Sequence, residues 1–524
     1  MAGTSESSAA QTAPAMPAAA RRRLQDWGPL AWLARHPRQG FAAFAALHFL
    51  VWSALPALIY TNLPLDLLEA LVYGREWQLG HDKLPPLPWW LVEIAYRLFG
   101  TDFAYYALAQ ATVLAALAIV WRLADRLVGP AGALAAVLIV DGAHYFHFTA
   151  AKFNHDVVQL PIWALAGYAL HQALRRGRLI HWLLLGVAFG LGVWAKYFIA
   201  VLALPFALFL LLDPQARPAL RTAGPWTAVA VALVIAAPHL WWLVSNDFMP
   251  FVYAEARARP ASGAFGRVTA PLSFAAGQLA ALLPALLIAS PLLWPRRRAT
   301  QPPEAPAVDA FDRRIVTMLA FGPFATVLAL SAATDRQVIA MWGYPLWLFL
   351  GLWIVLAAKS LDRVRLARIA ILWAVVFTLT AVGFAAGYTV LPRLDGRYRA
   401  ALFPGHELGR LVQEGFRAQT GRPLAYVIGQ QWEGSNVAHY APDRPRLLLE
   451  GKPARSPWID LADLKAKGAA VVWPAGVNPT PDDPLLRVIP NVVMQPPLTL
   501  PMHRTGTPLT FRWAIVPPMP AVQN

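Results

Sequence analysis

The chain of 524 residues has no cysteine and few charged side chains. Without a thiol, disulfides, thiolate metal sites and cysteine nucleophiles are all excluded. Only 14% of the residues are charged, whereas soluble domains carry roughly 25%. Because 57% of the residues are hydrophobic and the mean hydropathy is +0.44, the sequence is that of an integral membrane protein. It contains no Walker, GxGxxG or HExxH motif and no internal repeat.

Acidic residues are also scarce, with 29 Asp and Glu against 45 Lys and Arg, which gives a formal net charge of +16. A charge of this size can indicate a nucleic-acid partner. Here, however, the basic residues lie in short clusters between apolar runs, such as Arg21–Arg23, Arg175–Arg178 and Arg296–Arg298. The enrichment of positive charge in cytoplasmic loops explains that pattern better, so no nucleic acid is expected.

About eleven apolar segments approach the ~20 residues that a helix needs to cross a bilayer. They are 41–60, 103–121, 131–147, 157–173, 181–195, 197–212, 225–243, 272–294, 315–333, 338–357 and 369–390. Basic clusters alternate with basic-poor segments at each crossing, so the N-terminus is predicted to be cytoplasmic and the 61–102 loop to be outside. An odd number of spans places the C-terminal region outside as well. Residues 1–40 are predicted to be a disordered cytoplasmic tail, and 41–392 a transmembrane module.

The composition changes beyond residue 393, and strand-like runs alternate there with helical patterns. The segments are a helix at Leu408–Ala418, strands at Pro423–Ile428 and Arg446–Leu449, a helix at Leu461–Lys467 and a strand at Ala469–Trp473. This alternation predicts a small extracytoplasmic α/β domain over 393–524.

The loop at 61–102 holds the most polar stretch near the apolar segments. Asp66, Glu69 and Tyr73 follow each other at i, i+3 and i+7, so one helical face would present all three. The loop continues through His81-Asp82-Lys83 into Pro85-Pro86 and a Trp pair. An interfacial helix with its polar face toward water is the simpler interpretation, but it leaves this second half unexplained. We therefore favour a functional loop.

Other outer segments carry candidate residues of their own. Lys152-Phe-Asn154-His155-Asp156 could cap the fourth span or could bind a phosphate, a metal or a sugar hydroxyl. Tyr253 and Glu255 lie in a polar segment, 244–271, that could cover a cleft or form a solvated helix. Arg336, and more weakly Lys196, lie on the side where basic residues are rare, and a phosphate partner would explain them.

Several of these residues resemble a known family. Asp66, Gly80, Pro85-Pro86-Leu87 and Trp90 are similar to the first-loop signature of the family 39 type glycosyltransferases. These membrane enzymes are related to protein O-mannosyltransferases that use dolichyl-phosphate-mannose and to lipid A aminoarabinose transferases. The resemblance extends over roughly 41–520. It includes Lys152–Asp156 with Trp163, Gly192–Tyr197, Pro238–Phe248, Gly429–Trp432 and Ser456–Asp460.

The resemblance implies a GT-C fold with an extracytoplasmic active site in a bacterial inner membrane. It implies inverting transfer of a monosaccharide from a polyprenyl-phosphate donor to a lipid, glycan or protein acceptor, with membrane lipids around the enzyme. Asp66 would be the general base, and Asp156 and Glu69 further catalytic carboxylates. The donor phosphate would be bound by Arg336, Lys83, Lys152 and Lys196. Acceptor or sugar would be bound by His81, Asp82, Asn154, His155, Tyr253 and Glu255.

Two departures concern the first loop. Family members often have an acid directly after the aspartate, where this chain has Leu67, and a His or Lys before Pro-Pro, where it has Leu84. The resemblance implies no definite cofactor. It leaves open whether a divalent metal ion binds and which residues would hold it.

Two other functions fit the composition. An oligosaccharide polymerase or ligase would also act on lipid-linked sugars outside the membrane. A transporter or flippase usually has charges within its spans and repeated halves. The charge-poor spans and the absence of a repeat favour the transferase. The sugar and the acceptor are not determined by the sequence.

Overall fold

The chain up to about residue 390 is a bundle of helices. The computed structural model describes residues 28–257, 265–293, 308–358, 360–476 and 492–519. The helices of the bundle are α1 (Gly28–Arg35), α2 (Pro37–Ile59), α3 (Leu65–Gly74), α4 (Leu87–Phe99), α5 (Asp102–Asp141), α6 (His155–Arg176), α7 (Leu179–Ala195), α8 (Ala200–Leu212), α9 (Ala223–Ser245), α10 (Met249–Arg257), α11 (Gly266–Leu293), α12 (Ala310–Thr334), α13 (Leu350–Ala357) and α14 (Arg363–Thr389).

Six helices in the described ranges are long and apolar enough to cross a membrane: α2, α5, α9, α11, α12 and α14. The short helix Ala340–Trp347 and α13 pass the same test together as a pair bent by 53°. Leu179–Ala195 and Tyr197–Leu212 are shorter apolar helices. The prediction of a polytopic helical membrane protein is confirmed, and each predicted segment is largely helical. Eleven separate crossings are not established, because several helices are too short or too polar to span by themselves.

Two predicted boundaries are wrong. Residues 28–40 were expected in a disordered tail but belong to α1 and α2, whereas 1–27 lie outside the described residues. The expected span 131–147 starts where predicted, directly after a break in α5 at Gly129 (φ 72°) and Pro130, but its predicted end is wrong. Glycine tolerates this left-handed backbone, and proline can begin the next helical turn. The helix then ends at Asp141, and short 3₁₀ turns lead to α6.

A buried ionic cluster surrounds Asp141 in the described part of the bundle. The Asp141 carboxylate accepts a hydrogen bond from Trp373 Nε1 at 2.7 Å and lies 2.9 Å from His48 Nδ1 and 3.5 Å from His147 Nε2. Polar groups inside an apolar bundle need internal partners, since no water or lipid group can replace them. The cluster therefore ties α2, α5 and α14 together at a point where the sequence predicted almost no charge.

A small α/β domain follows the bundle, as predicted. Its elements are α15 (Leu391–Asp395), α16 (Gly405–Thr420), β1 (Tyr426–Gly429), α17 (Gln431–Tyr440), β2 (Arg446–Leu449), α18 (Leu461–Lys467), β3 (Ala469–Pro474), β4 (Val493–Met494), β5 (Leu498–Pro501) and β6 (Pro508–Val516). The strand order is β2-β1-β3-β6-β4, with β5 also on β6. The central β1 pairs in parallel with β2 and β3, and Val427 lies opposite Leu447 and Ala470. The sequence missed α17 and β4–β6. The proline-rich segment 478–484 lies outside the described residues.

The α/β domain is docked on the 61–102 loop through charged contacts. The ion pairs are Arg444–Glu93 (2.7 Å), Arg455–Asp82 (2.7 Å) and Arg446–Glu76. The backbone N–H of Leu63 also donates to the Tyr440 hydroxyl at 2.8 Å. Glu93 is fully buried, so these contacts fix the domain against the loop that carries most of the predicted site.

Candidate active site

Asp66 lies in the first turn of α3, where the chain leaves the membrane-spanning helix α2. Its Oδ2 accepts a hydrogen bond from Asn154 Nδ2 at 2.7 Å and lies 3.8 Å from Lys152 Nζ. The Asp66 side chain is 35% exposed. The first loop and the mouth of the fourth predicted span, 88 residues apart in sequence, therefore meet at one carboxylate.

Asn154 performs two tasks at this point. Its Oδ1 caps α6 by accepting the backbone N–H groups of Asp156 (3.0 Å) and Val157 (3.3 Å). Because the oxygen is committed to the cap, the amide nitrogen is directed at Asp66. The sequence left open whether this segment caps a helix or serves a functional site. Asn154 does both, because its oxygen caps α6 while its nitrogen contacts Asp66.

Asp156 and Lys196 form a buried ion pair beside that cap. Lys196 Nζ lies 2.6 Å from Asp156 Oδ1, and the side chains are 9% and 5% exposed. Gln159 donates to the same carboxylate oxygen at 3.2 Å, and the Trp342 ring lies 5.1 Å from the ammonium. The pair is neutral and closed, so both groups are directed at each other rather than at an open surface.

Glu69 and Lys83 form a second pair, one helical turn beyond Asp66. Lys83 Nζ donates to Glu69 Oε2 at 2.9 Å, and the side chains are 13% and 14% exposed. Burial raises the pKa of the Glu69 carboxyl, and the nearby Lys83 ammonium partly offsets that rise. Gln431 Oε1 of the α/β domain accepts from the same ammonium at 3.2 Å, and the Tyr253 ring lies 5.8 Å from it.

His81 and Asp82 differ in their surroundings. Asp82 accepts from Arg455 Nε at 2.7 Å and from the Tyr73 hydroxyl at 3.1 Å. His81 is 1% exposed within a cage of Tyr73, Trp89 and Trp458, and neither ring nitrogen has a hydrogen-bond partner among the residues that the structure describes. Burial lowers the pKa of His81 to about 3, so the ring is neutral at physiological pH. In this conformation His81 is enclosed by aromatic rings and presents no nitrogen to a sugar.

The remaining predicted residues lie around this centre or farther along the same face. His155 is buried, and its Nε2 lies 2.9 Å from the Pro85 carbonyl oxygen, which holds the Pro-Pro turn against α6. Arg336 Nη2 pairs with Glu255 Oε1 at 2.9 Å, with side chains 33% and 70% exposed. The predicted phosphate ligand and the predicted sugar ligand are therefore partners of each other.

A divalent metal would need several converging acidic or histidine side chains. Among the described residues, no group of three or more His, Cys, Asp or Glu side chains is arranged to hold one. The carboxylates of Asp66, Glu69 and Asp82 each have basic neighbours instead. These residues do not fit a metal, because each carboxylate is already neutralised by a basic side chain.

The sequence missed two residues that the α/β domain supplies, Gln431 and Arg455. Both lie in or beside segments that resembled the family, Gly429–Trp432 and Ser456–Asp460. That resemblance was the available signal, but nothing in it placed these side chains against Lys83 and Asp82.

The structure is similar to the crystal structure of ArnT from Cupriavidus metallidurans bound to undecaprenyl phosphate. The TM-score is 0.59 at 14% identity, over 91% of this chain and 97% of that chain. The chain has a GT-C fold. The resemblance inferred from the first loop is thereby confirmed at the level of the fold.

Sequence comparison supports the GT-C assignment over part of the chain. The family described as dolichyl-phosphate-mannose-protein mannosyltransferase matches residues 83–242, a range that includes Lys83, Asn154 and Lys196 but begins after Asp66. The lipid A galacturonosyltransferase RgtD of Rhizobium johnstonii is 28% identical over 219 residues, which cover 40% of this chain and 44% of that protein. The lipopolysaccharide core galacturonosyltransferase RgtB of the same organism is 28% identical over 195 residues, 36% of this chain and 39% of that protein. The chain thus matches less than half of the length of these relatives.

Proposed function

We propose that this GT-C protein is an inverting glycosyltransferase. It transfers a monosaccharide from a polyprenyl-phosphate donor to an envelope acceptor at the periplasmic face of the bacterial inner membrane. The fold supports a polyprenyl-phosphate donor, because the similar ArnT structure is bound to undecaprenyl phosphate. The distribution of basic residues supports a cytoplasmic N-terminus and a periplasmic loop and α/β domain.

The observation that carries the proposal is the convergence of Asn154 and Lys152 on Asp66. Inverting transfer needs a carboxylate that takes the proton of the acceptor hydroxyl as the new bond forms. Asn154 and Lys152 both engage Oδ2 of Asp66. We therefore assign Oδ1 to the acceptor hydroxyl. The hydrogen bond from Asn154 holds the carboxylate in one orientation, which a general base requires.

The leaving phosphate needs a cation more than it needs a proton, since phosphate is already a good leaving group. Of the predicted cations, Lys196 is closed in a buried pair, whereas Lys83 and Arg336 have acidic partners at 2.9 Å. Lys152 has the longest of these contacts, 3.8 Å, and its side chain is 28% exposed. Lys152 is therefore the cation that binds a donor phosphate with the smallest loss of existing ion-pair energy.

The acceptor and the sugar follow from the relatives as proposals. Because the two relatives are named for transfer of galacturonic acid to lipid A and to the lipopolysaccharide core, lipid A and core oligosaccharide are the first acceptors to test. Polyprenyl-phosphate galacturonic acid is the corresponding first donor. Other envelope glycans and proteins remain in the acceptor panel.

The test is transfer of labelled sugar by the purified full-length protein in nanodiscs. Asp66→Asn is expected to lower kcat by about 10²- to 10⁴-fold, the usual contribution of a general base, without changing yield. Glu414→Gln is the matched control, because Glu414 is an exposed carboxylate of the α/β domain that forms a surface pair with Arg410. Near-normal turnover by the Asp66→Asn protein would refute the base assignment. No transfer from any polyprenyl-phosphate sugar by well-folded wild-type protein would refute the function.

A further inference from the structure

Gln431 belongs to the α/β domain and contacts the predicted donor site. It is the first residue of α17, and its side chain lies between Lys83 of the loop and Ser435 of its own helix. Its Nε2 donates to the Ser435 hydroxyl at 3.2 Å, and its Oε1 accepts from Lys83 Nζ at 3.2 Å. An ammonium can only donate, so the amide oxygen must face Lys83. The amide therefore has one defined orientation.

The Lys83 ammonium has three N–H bonds to place. One donates to Glu69 Oε2 at 2.9 Å and a second to Gln431 Oε1. The nitrogen also lies 5.8 Å from the centre of the Tyr253 ring, near the limit for a cation–π contact. Two acceptors from different parts of the chain thus fix the direction in which the third N–H points.

A second contact, between Arg455 and Asp82, holds the α/β domain next to Lys83. Arg455 Nε donates to Asp82, the residue before Lys83, at 2.7 Å, while its Nη1 pairs with Glu450 at 2.7 Å. These side chains are between 16% and 33% exposed, so the pairs are partly shielded from water. The backbone of the loop at Lys83 is consequently fixed by the same domain that supplies Gln431.

We propose that Gln431 is a positioning residue of the donor site. It holds the Lys83 ammonium so that the remaining N–H reaches the phosphate or the sugar of the polyprenyl-phosphate donor, and the α/β domain is thereby part of that site. The inference rests on the proposed function and on the expectation, from the family resemblance, that Lys83 binds the donor beside Lys152.

The test compares Gln431→Ala, Gln431→Glu and Gln419→Ala in the full-length protein, with KM for the donor, kcat and thermal stability measured for each. Gln431→Ala is expected to raise the donor KM about tenfold, as for loss of one hydrogen bond to a charged group, with kcat within about twofold. Gln431→Glu is expected to raise it further, because the new carboxylate competes with the phosphate for Lys83 and repels it. Gln419→Ala removes an exposed amide of the same domain and should change neither constant.

An unchanged donor KM in both Gln431 variants, or a loss of kcat and stability with KM unchanged, would overturn the proposal. If the wild-type protein shows no transfer, the proposed function fails. The positioning role is then tested separately, by measuring undecaprenyl phosphate binding with native mass spectrometry. Weaker binding by Gln431→Glu than by wild type would support the positioning role. Equal binding would reject it.

Discussion

The contact between Arg444 and Glu93 is where the docking of the α/β domain can be measured most directly. Arg444 Nη2 lies 2.7 Å from Glu93 Oε2, and the Arg444 guanidinium stacks 3.6 Å from the centre of the Tyr96 ring. Glu93 is fully buried, whereas Arg444 is 20% exposed. The substitution Arg444→Met removes the charge and keeps most of the apolar stem.

The expected cost follows from these contacts. Removing one partner of a buried ion pair costs roughly 3–5 kcal/mol, because the other charge is left uncompensated. Arg97 Nε still donates to Glu93 Oε1 at 2.9 Å, although that side chain is 57% exposed, so part of the compensation survives. We therefore expect about 2–4 kcal/mol of local stability to be lost, which includes the cation–π contact with Tyr96.

Hydrogen exchange measured by mass spectrometry detects this loss of stability helix by helix. If α4 and α17 separate in a local opening, about 2–4 kcal/mol corresponds to exchange that is roughly 30- to 900-fold faster in both helices. The control is Arg410→Met, which breaks an exposed pair with Glu414 and should change exchange little, since such pairs contribute about 0–1 kcal/mol. Exchange in α4 and α17 that is no faster in Arg444→Met than in Arg410→Met would refute the view that this pair docks the domain.

Three further changes test other parts of the structure. Because burial holds the pKa of His81 at about 3, below the ordinary value of 6.5, the unfolded chain binds the proton more tightly and stability falls as pH decreases below about 6.5. His81→Phe should remove this acid sensitivity, about 2 kcal/mol at pH 5, in melting curves from pH 8 to 5; parallel curves for both proteins would contradict it. Gly80→Ala should lower folding yield and melting temperature, since the new Cβ would overlap the Trp242 ring, and an unchanged protein would show that the loop moves aside at little cost. Asp141→Asn should cost about 1–3 kcal/mol through weaker bonds to its Trp and His partners, and a melting temperature equal to that of wild type would show that the cluster is not stabilising.

The helical bundle and the α/β domain could be predicted because their signals are local. Apolar runs mark the spans because polar side chains are costly in lipid, and a span is helical because its backbone polar groups need internal partners. Strand-like runs such as Arg446–Leu449 are bounded by polar segments. The break at Gly129 falls in the predicted gap between the segments 103–121 and 131–147. The end of α5 at Asp141 was missed, because aromatic residues continue the apolar pattern beyond it. The helix α17 was missed because Gly434 and polar residues weaken its apolar pattern, and it is stabilised by packing rather than by propensity.

The sequence predicted which residues form the candidate site better than it predicted which of them contact each other. Asp66, Glu69 and Tyr73 lie on one face of α3 as the spacing required, and Asn154 lies at the N-cap of α6 as its residue type suggested. Lys152 and Asn154 were expected near the first loop only through the resemblance, yet both contact Asp66.

By itself, the sequence determined the membrane class, the helical bundle, the α/β domain and the set of charged residues from which the site is built, because hydropathy and charge are properties of each segment alone. Only the tertiary structure decided which charge meets which. Asp66 faces Asn154 and Lys152, Lys196 is closed against Asp156, and Gln431 reaches Lys83 from 348 residues away. Electrostatic pairing depends on distances of a few ångströms between segments that are remote in the chain, and these distances arise only when helices, loop and domain pack together.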